Sequence, residues 1–204
     1  MPEPPDWPET AAVAGYWFLE EPEWTPPPDL QAFLDAGDPP VYVGFGSMIG
    51  RDPERTARLV AEALRAAGVR GLLATGWGGL SPTDLGDDLF VLEQAPHDAL
   101  FPHCAAVVHH GGAGTTAAGL RAGRPTVVCP FFGDQPFWGR RVHTLGVGPA
   151  PIRQTDLTAP RLAAAIQQAT GSDAVRQRAE ALGRTIRAED GVGAAVRFVE
   201  RHAG

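Results

Sequence analysis

Two adjacent histidines run directly into a glycine-rich turn in the segment VVHHGGAGTT, residues 107–116. Glycine lets the backbone approach a ligand closely, and the Ala-rich run that follows should be helical. The first turn of a helix presents unpaired amides and the positive end of the helix dipole, an arrangement that suits a phosphate. Gly111, Gly112 and Gly114 permit positive φ and close approach, and Thr115 and Thr116 fall in the first helical turn. We therefore expect this turn to suit a phosphate, with His110 as a further donor.

Two other interpretations of this segment compete with the phosphate site. Adjacent residues of a strand point in opposite directions, and no Cys, Asp or Glu cluster lies near His109 and His110, which argues against a metal site. Residues 112–117, GAGTTA, also match the dinucleotide fingerprint G-x-G-x-x-A, and Asp134 follows about 20 residues after Gly114. That fingerprint usually follows the first strand of a fold, whereas here it follows the fourth. An NAD-binding oxidoreductase domain stays as the alternative.

Two further segments of interest follow other predicted strands. After the first strand comes GFGSM, residues 44–48, in which Ser47 offers a hydroxyl and an amide. After the third comes EQAPHDALF, residues 93–101, in which Pro96 ends the strand and a short helix can begin. The backbone at Ala95 then has no ladder partner, so it could contact the edge of a planar base.

A carboxylate and a carboxamide stand side by side after the fifth strand, in the segment PFFGDQPFW at residues 130–138. Together Asp134 and Gln135 can accept from and donate to several hydroxyls, which is how proteins commonly bind sugars. An ordinary helix N-cap with a polar neighbour is the alternative explanation. The segment follows the strand next in sequence to the glycine-rich turn, so both could face one cleft.

Short apolar strands alternate with helices over most of the chain. The strands are predicted within residues 41–46, 71–76, 89–94, 105–110 and 125–132, with a possible sixth at 146–152, and the helices at 53–67, 115–122, 135–145 and 159–202, the last broken near Gly171 and Gly191. This alternation is typical of an α/β fold with a Rossmann-like, doubly wound parallel sheet. Ligands of such folds bind at the carboxyl ends of the strands.

The first 39 residues differ in composition from the rest. Ten of the 20 prolines fall in the first 40 residues, as do Trp7, Trp17 and Trp24. Proline removes backbone donors and fixes φ, which favours an extended segment outside the sheet. We predict that residues 1–39 form an interdomain linker arm that packs on the domain, and that residues 40–204 form one Rossmann-like α/β domain with a helical C-terminus.

The composition also excludes several classes of function. A formal net charge of −7 argues against a surface that binds nucleic acid, although a small anion needs only a few oriented donors. No run of about 20 apolar residues occurs, so we expect no membrane insertion. The two cysteines form no disulfide framework, and the first residues lack the pattern of a secretory signal, so we expect a cytoplasmic protein.

Taken together, these segments resemble the C-terminal, nucleotide-sugar-binding half of family 1 glycosyltransferases, the UDP-glycosyltransferase superfamily. The most similar branch is that of the sterol and bacterial natural-product glucosyltransferases. The resemblance covers nearly the whole chain: PPDWP and GYWFL match the linker, PPVYVGFGSM the first strand, and HHGGAGTT, RAGRP and PFFGDQ the donor motif. It implies a GT-B architecture, in which two Rossmann-like domains enclose the reaction, with this chain as the C-terminal half.

The resemblance assigns donor-binding roles by position in these motifs. The residues implied to contact the donor diphosphate are Ser47, His110, Gly112, Gly114 and Thr115. Those implied to lie along the nucleobase are Gln94, Ala95 and His97, and those implied to bind hydroxyls of the sugar are Asp134 and Gln135. Gln94 stands where plant members place a Trp that stacks on uracil, and Ala118 where they place a Glu for the ribose. The donor could therefore be a dTDP-sugar as well as a UDP-sugar.

The implied reaction is inverting transfer of a hexose, with glucose favoured, from UDP-sugar to a hydroxyl of a lipophilic acceptor such as a sterol or natural product. A general base deprotonates the acceptor while fixed donors stabilise the departing diphosphate, without a required metal or other cofactor. In the family that base belongs to the N-terminal acceptor-binding domain, which is the implied partner. We expect no catalytic residue in this chain, which by itself should bind donor and be inactive.

Overall fold

Five short parallel strands form a sheet within residues 3–18, 24–46, 52–74 and 86–203, the parts of the chain that the computed structural model describes. The strands are β1 (Val41–Gly44), β2 (Gly71–Ala74), β3 (Leu89–Leu92), β4 (Ala106–His109) and β5 (Thr126–Val128). Their order across the sheet is β3-β2-β1-β4-β5. The predicted doubly wound α/β fold is confirmed.

The strand order reverses between β1 and β4. The chain moves from β1 to β2 and β3 on one side, then crosses to β4 and β5 on the other. Tyr42 of β1 lies beside Leu72 of β2 and Val107 of β4, so the strands end at a common edge. The reversal places the carboxyl ends of β1 and β4 side by side at the switch point of the sheet, where ligand sites of such folds typically lie.

Helices lie on both faces of the sheet. They are α1 (Pro28–Asp35), α2 (Pro53–Ala67), α3 (His97–Leu100), α4 (Ala113–Arg121), α5 (Gln135–Thr144), α6 (Ala159–Gly171), α7 (Asp173–Arg187) and α8 (Gly191–His202). The predicted bounds of α2 and the breaks at Gly171 and Gly191 agree with the structure. The helix α4 begins two residues earlier than predicted, which places Gly114 and Thr115 in its first turn. None of the described helices is long and apolar enough to cross a bilayer.

Two apolar layers sandwich the sheet. On one face, Val43 and Val108 of the sheet pack with α2 and α6, where Leu64 and Ile166 are fully buried. On the other face, Tyr42 and its neighbours pack against α1, α3 and the second half of α4. Because the sheet is covered on both faces, its strands consist almost entirely of apolar residues. Their positions can therefore be predicted from the sequence.

The possible sixth strand at residues 146–152 does not form among the described residues. The segment runs beside β5 and makes isolated hydrogen bonds with it: the amide of Thr126 donates to Val147 at 3.1 Å, and the amide of Ile152 donates to Val128 at 3.0 Å. Pro149 and Pro151 lie between these contacts and carry no amide proton. A continuous ladder is therefore impossible there.

The N-terminal 39 residues contain the helix α1, which their proline content does not predict. Pro28 occupies the first turn of α1, where a missing amide proton costs nothing because the helix has no partner for it. Leu30 of α1 is fully buried with Phe101 and Tyr42. Further upstream, the guanidinium of Arg121 lies 4.4 Å from the ring centre of Phe18. Leu30 and Phe18 of this segment thus contact the α/β layers, whereas residues 3–10 are exposed.

Candidate functional site at the switch point of the sheet

His110 lies at the carboxyl end of β4, next to the point where the strand order reverses. It follows β4 directly, and its ring borders the two loops that diverge there. A Cβ placed on Gly46, after β1, would stand 3.5 Å from Cε1 of His110, and one placed on Gly112 would stand 2.6 Å from Nε2. The imidazole therefore sits between the loop after β1 and the start of α4, and glycine at 112 leaves room for it.

The glycine-rich turn delivers the chain into α4. Gly111 has φ of +93°, and Gly112 with φ of −61° and ψ of 143° is the N-cap residue. The first helical hydrogen bond is donated by the amide of Thr116 to the carbonyl of Gly112 at 2.9 Å. The helix itself does not use the amides of residues 113–115, and these are the donors that a helix N-terminus offers to an anion.

His109 stabilises the glycine-rich turn through a hydrogen bond. It is fully buried, and its Nδ1 accepts a hydrogen bond from the amide of Gly111 at 2.9 Å. This side-chain-to-backbone contact spans two residues, as in the turns that Asn and Asp form. Its Nε2 then carries the proton and is without a hydrogen-bond partner among the described residues. Burial, with smaller effects of His110 and His97, lowers the pKa of His109 to about 3, so it stays neutral.

The neutrality of His109 leads to a testable pH dependence. Its pKa is about 3 when folded and about 6.5 when unfolded, so the unfolded state binds more protons below pH 6.5. The His109 contribution to folding stability is therefore lost as the pH falls from 6.5, by about 1.4 kcal/mol per pH unit. We expect His109→Asn, whose Oδ1 can accept from the Gly111 amide, to flatten this dependence in urea titrations. A slope that stays as steep in the variant would contradict the buried neutral state.

The electrostatics of His110 differ from those of His109. Partial burial lowers the pKa of His110, and the nearby carboxylate of Asp134 opposes that shift. Its Nδ1 is buried and has no hydrogen-bond partner within the described part of the chain. A half-buried imidazole of this kind can donate to an arriving diphosphate, and the negative charge of that group favours the protonated ring. The structure thus brings together His110 and Asp134, which the sequence assigned to two different parts of the donor.

The segment predicted to lie along a nucleobase follows β3. Gln94 is exposed and Ala95 half-buried, so both are accessible. His97 begins α3, and its ring stacks on Phe101 with 4.5 Å between ring centres. Its Nε2 lies 3.3 Å from Oη of Tyr42, at hydrogen-bonding distance. Burial lowers the pKa of His97, with Asp98 opposing the shift.

Tyr42 was not singled out from the sequence, although it fixes the ring of His97. A buried tyrosine needs a partner for its hydroxyl, and Tyr42 lies on β1 two residues before Gly44, hence on the same face. Burial raises the pKa of Tyr42, so it is a neutral donor or acceptor at any physiological pH. The two-residue spacing between Tyr42 and Gly44 is the only sequence signal that could have connected Tyr42 with the candidate site.

The segment predicted to bind sugar hydroxyls begins α5. Asp134 is exposed, and its Oδ2 accepts from Nε1 of Trp138 at 2.8 Å. Gln135 is only 6% exposed, and its Oε1 accepts from the amides of Phe131 at 2.8 Å and Phe132 at 3.2 Å. Asp134 is therefore open to a ligand, whereas the carbonyl of Gln135 shapes the loop. Their roles toward a sugar stay predictions.

Ser47, the remaining predicted diphosphate ligand, lies outside the described residues. The last described residue before it is Gly46, whose φ is +59° and which borders the ring of His110. Within the described ranges, no group of three or more His, Cys, Asp or Glu side chains is arranged to hold a metal ion.

Comparison with known protein families matches residues 81–191 to the model described as "Erythromycin biosynthesis protein CIII-like, C-terminal domain". The match spans more than half of the chain and includes the base segment, the glycine-rich turn and the sugar segment. The chain belongs to this family. Among known proteins it is similar to the sterol 3-beta-glucosyltransferase UGT80A2 of Arabidopsis thaliana, with 46% identity over 99% of the chain. A sterol 3-beta-glucosyltransferase of Aspergillus terreus is 44% identical over 97% of the chain.

Two solved structures share the fold of this chain. The glycosyltransferase of kitacinnamycin superposes with a TM-score of 0.70 and 26% identity over 91% of the chain. CalG4, the calicheamicin glycosyltransferase, gives a TM-score of 0.69 and 25% identity over the same share. The chain spans 47% and 48% of these two proteins, and 32% and 15% of the Arabidopsis and Aspergillus relatives. The resemblance found in the sequence is confirmed, and the fold is that of the C-terminal half of GT-B glycosyltransferases.

Proposed function

We propose that this domain binds the nucleotide-sugar donor of an inverting glycosyltransferase. The observation that carries the proposal is the position of His110, between the loop after β1 and the N-terminus of α4 at the switch point of the sheet. A diphosphate there would meet the amides of residues 113–115, the helix dipole and one imidazole. These fixed donors stabilise the charge that develops on a departing nucleoside diphosphate.

The substrates are proposed from the chemistry of the site and from the relatives. We favour UDP-glucose as donor, with Gln94, Ala95 and His97 along the base and Asp134 and Gln135 at the sugar, and a sterol or another lipophilic alcohol as acceptor. The names of the Arabidopsis and Aspergillus relatives support glucose and a sterol. We propose that an acceptor-binding domain, which supplies the general base, is the partner of this chain. The chain by itself should bind donor without transferring sugar.

Donor binding can be tested by thermal unfolding with UDP, UDP-glucose, dTDP and NAD. A ligand at about 100 times its dissociation constant adds about 2.7 kcal/mol of stability, an easily measured shift. We expect UDP and UDP-glucose to stabilise the chain and NAD to have no effect. Stabilisation by NAD without stabilisation by UDP would instead establish the dinucleotide alternative.

The proposed contact of His110 with the diphosphate can be tested in the same way with a variant. We expect His110→Ala to weaken UDP binding about tenfold or more, because it removes a donor to a charged oxygen. His143→Ala is the matched control, since His143 is an exposed histidine of α5. Equal UDP affinities of His110→Ala and the unchanged chain would rule out the diphosphate contact.

A further inference from the structure

A cavity of about 280 Å³ connects the predicted base segment with the predicted diphosphate site. Its walls include Pro96 and His97 at the base end and Gly114 of α4 at the phosphate end. Residue Trp17 of the N-terminal segment borders it from a third side. In a nucleoside diphosphate the ribose is the group that joins the base to the phosphates. On the proposed function, the ribose must therefore pass through this cavity.

The wall that α4 contributes to the cavity offers no polar side chain. It consists of Gly114, Ala117 and Ala118. Across from it, His97 has its Nε2 at hydrogen-bonding distance from Tyr42, so that nitrogen is engaged within the protein. The α4 wall and His97 therefore provide few hydrogen-bond acceptors for the two vicinal hydroxyls of a ribose.

Asp98 is the one carboxylate among the described residues that line the cavity. Its side chain is 32% exposed, so it is accessible to a ligand. An ionised carboxylate has two oxygens with about four acceptor positions, and it can accept from two neighbouring hydroxyls at once. Charge-assisted hydrogen bonds of this kind are stronger than those between neutral groups.

Asp98 is also held in place from outside the cavity. Nη1 of Arg121 lies 3.4 Å from Oδ2 of Asp98, and the guanidinium of Arg121 lies over the ring of Phe18. Among the described residues this is the one ion pair of the Asp98 side chain, and it leaves acceptor positions of the carboxylate for a ligand. Arg121 is on the turn of α4 that follows Ala117 and Ala118, so the ion pair spans the side of the cavity.

We propose that Asp98 binds the 2′- and 3′-hydroxyls of the ribose of a nucleoside diphosphate, with Arg121 as the residue that positions it. This proposal rests on the proposed function of the domain. It also selects between the donors that the sequence leaves open, because a dTDP-sugar has no 2′-hydroxyl. The domain should therefore prefer ribonucleotides.

The proposal can be tested with a cycle of two proteins and two ligands, measured by calorimetric titration. UDP and 2′-deoxy-UDP are titrated into the unchanged chain and into Asp98→Ala. We expect the unchanged chain to bind UDP about tenfold more tightly than 2′-deoxy-UDP, because a charge-assisted hydrogen bond is lost with the hydroxyl. In Asp98→Ala the two affinities should become nearly equal, mainly through weaker binding of UDP.

Several outcomes of this cycle would overturn the proposal. If Asp98→Ala weakens both ligands equally, the carboxylate acts only through Arg121 or the fold. If the tenfold preference for UDP persists in Asp98→Ala, another group binds the 2′-hydroxyl. If the unchanged chain shows no preference for UDP over 2′-deoxy-UDP, the contact between Asp98 and the 2′-hydroxyl is excluded. Absence of binding of either ligand to the unchanged chain would instead refute the proposed function. Should Asp98→Ala not fold, Asp98→Asn takes its place, and Asp173→Ala, at an exposed ion pair of α7, is the control.

Discussion

A Gly111→Ala variant is expected to lose about 2–6 kcal/mol of folding stability and most of its affinity for UDP. The φ angle of +93° lies in a region that residues with a Cβ rarely adopt, which costs about 1–3 kcal/mol. The new methyl group would also stand 2.6 Å from Cγ1 of Val128 and 3.1 Å from the carbonyl oxygen of Gln135. Overpacking of this kind adds about 1–3 kcal/mol. Urea unfolding and UDP titration would measure the two effects.

The matched control lies three residues away in the same motif. Gly114 is in the first turn of α4, and a Cβ placed there would have no atom within 4 Å outside its chain neighbours and its own helix backbone. Gly114→Ala should therefore stabilise the fold by about 0.5–1 kcal/mol, the usual gain of alanine over glycine in a helix. If both variants were equally stable, the strained turn would not be the reason for glycine at 111. Loss of UDP affinity in Gly114→Ala alone would show that the ligand approaches the backbone at 114.

This pair of variants also separates what the sequence could predict from what it could not. The composition of HHGGAGTT indicates close approach and positive φ in general, but it treats its glycines alike. In the structure only Gly111 of the three has positive φ, while Gly112 makes room for His110 and Gly114 is helical. The difference depends on which atoms of α5 and β5 lie behind the turn. These atoms belong to residues about 20 positions away, beyond the reach of local patterns.

The strands and most helices were predictable for a simple physical reason. A parallel sheet covered on both faces needs continuous apolar runs, and such runs stand out between glycines, prolines and charged helix surfaces. The prediction of α1 failed because proline was treated as a sign of extended chain, although it is well tolerated in the first turn of a helix. Of the site, the sequence predicted which segments meet at the sheet edge. It could not predict that Tyr42 engages His97 or that Asp98 faces the same cavity as Ala118.

The packing of Gly111 against Gln135 shows that the glycine-rich turn and the start of α5 form one unit. The predicted sugar segment is thus built onto the predicted diphosphate site, and a change in either should be felt in the other. Gln135 is central to this unit. Its carbonyl oxygen and Cβ would stand 3.1 and 3.3 Å from a Cβ placed on Gly111, and its side chain accepts from the amides of the preceding loop. A side chain so buried has a structural role whether or not it also contacts a sugar.

We expect Gln135→Leu to lower the free energy of unfolding by about 1–3 kcal/mol. The variant keeps the bulk of the side chain but leaves the amides of Phe131 and Phe132 without their acceptor, and an unmade hydrogen bond at one partly buried amide accounts for a loss of about 1–3 kcal/mol, since Phe132 is exposed and water can reach its amide. For a chain of this length the melting temperature should fall by about 2–4 °C per kcal/mol. Gln135→Glu is the matched variant, because a carboxylate accepts from the same two amides and is favoured in the first turn of α5.

The same two variants separate the loop-shaping role of Gln135 from its predicted contact with the sugar. Gln135→Glu should lose less melting temperature than Gln135→Leu, because its carboxylate still accepts from the amides of Phe131 and Phe132, and its affinity for UDP should stay close to that of the unchanged chain. If the carboxamide nitrogen donates to a sugar hydroxyl, the affinity for UDP-glucose should fall in this variant about tenfold while that for UDP does not. Equal effects on both ligands would mean that Gln135 acts only by shaping the loop, and the hydroxyl contact would then have to be assigned to the exposed Asp134 alone.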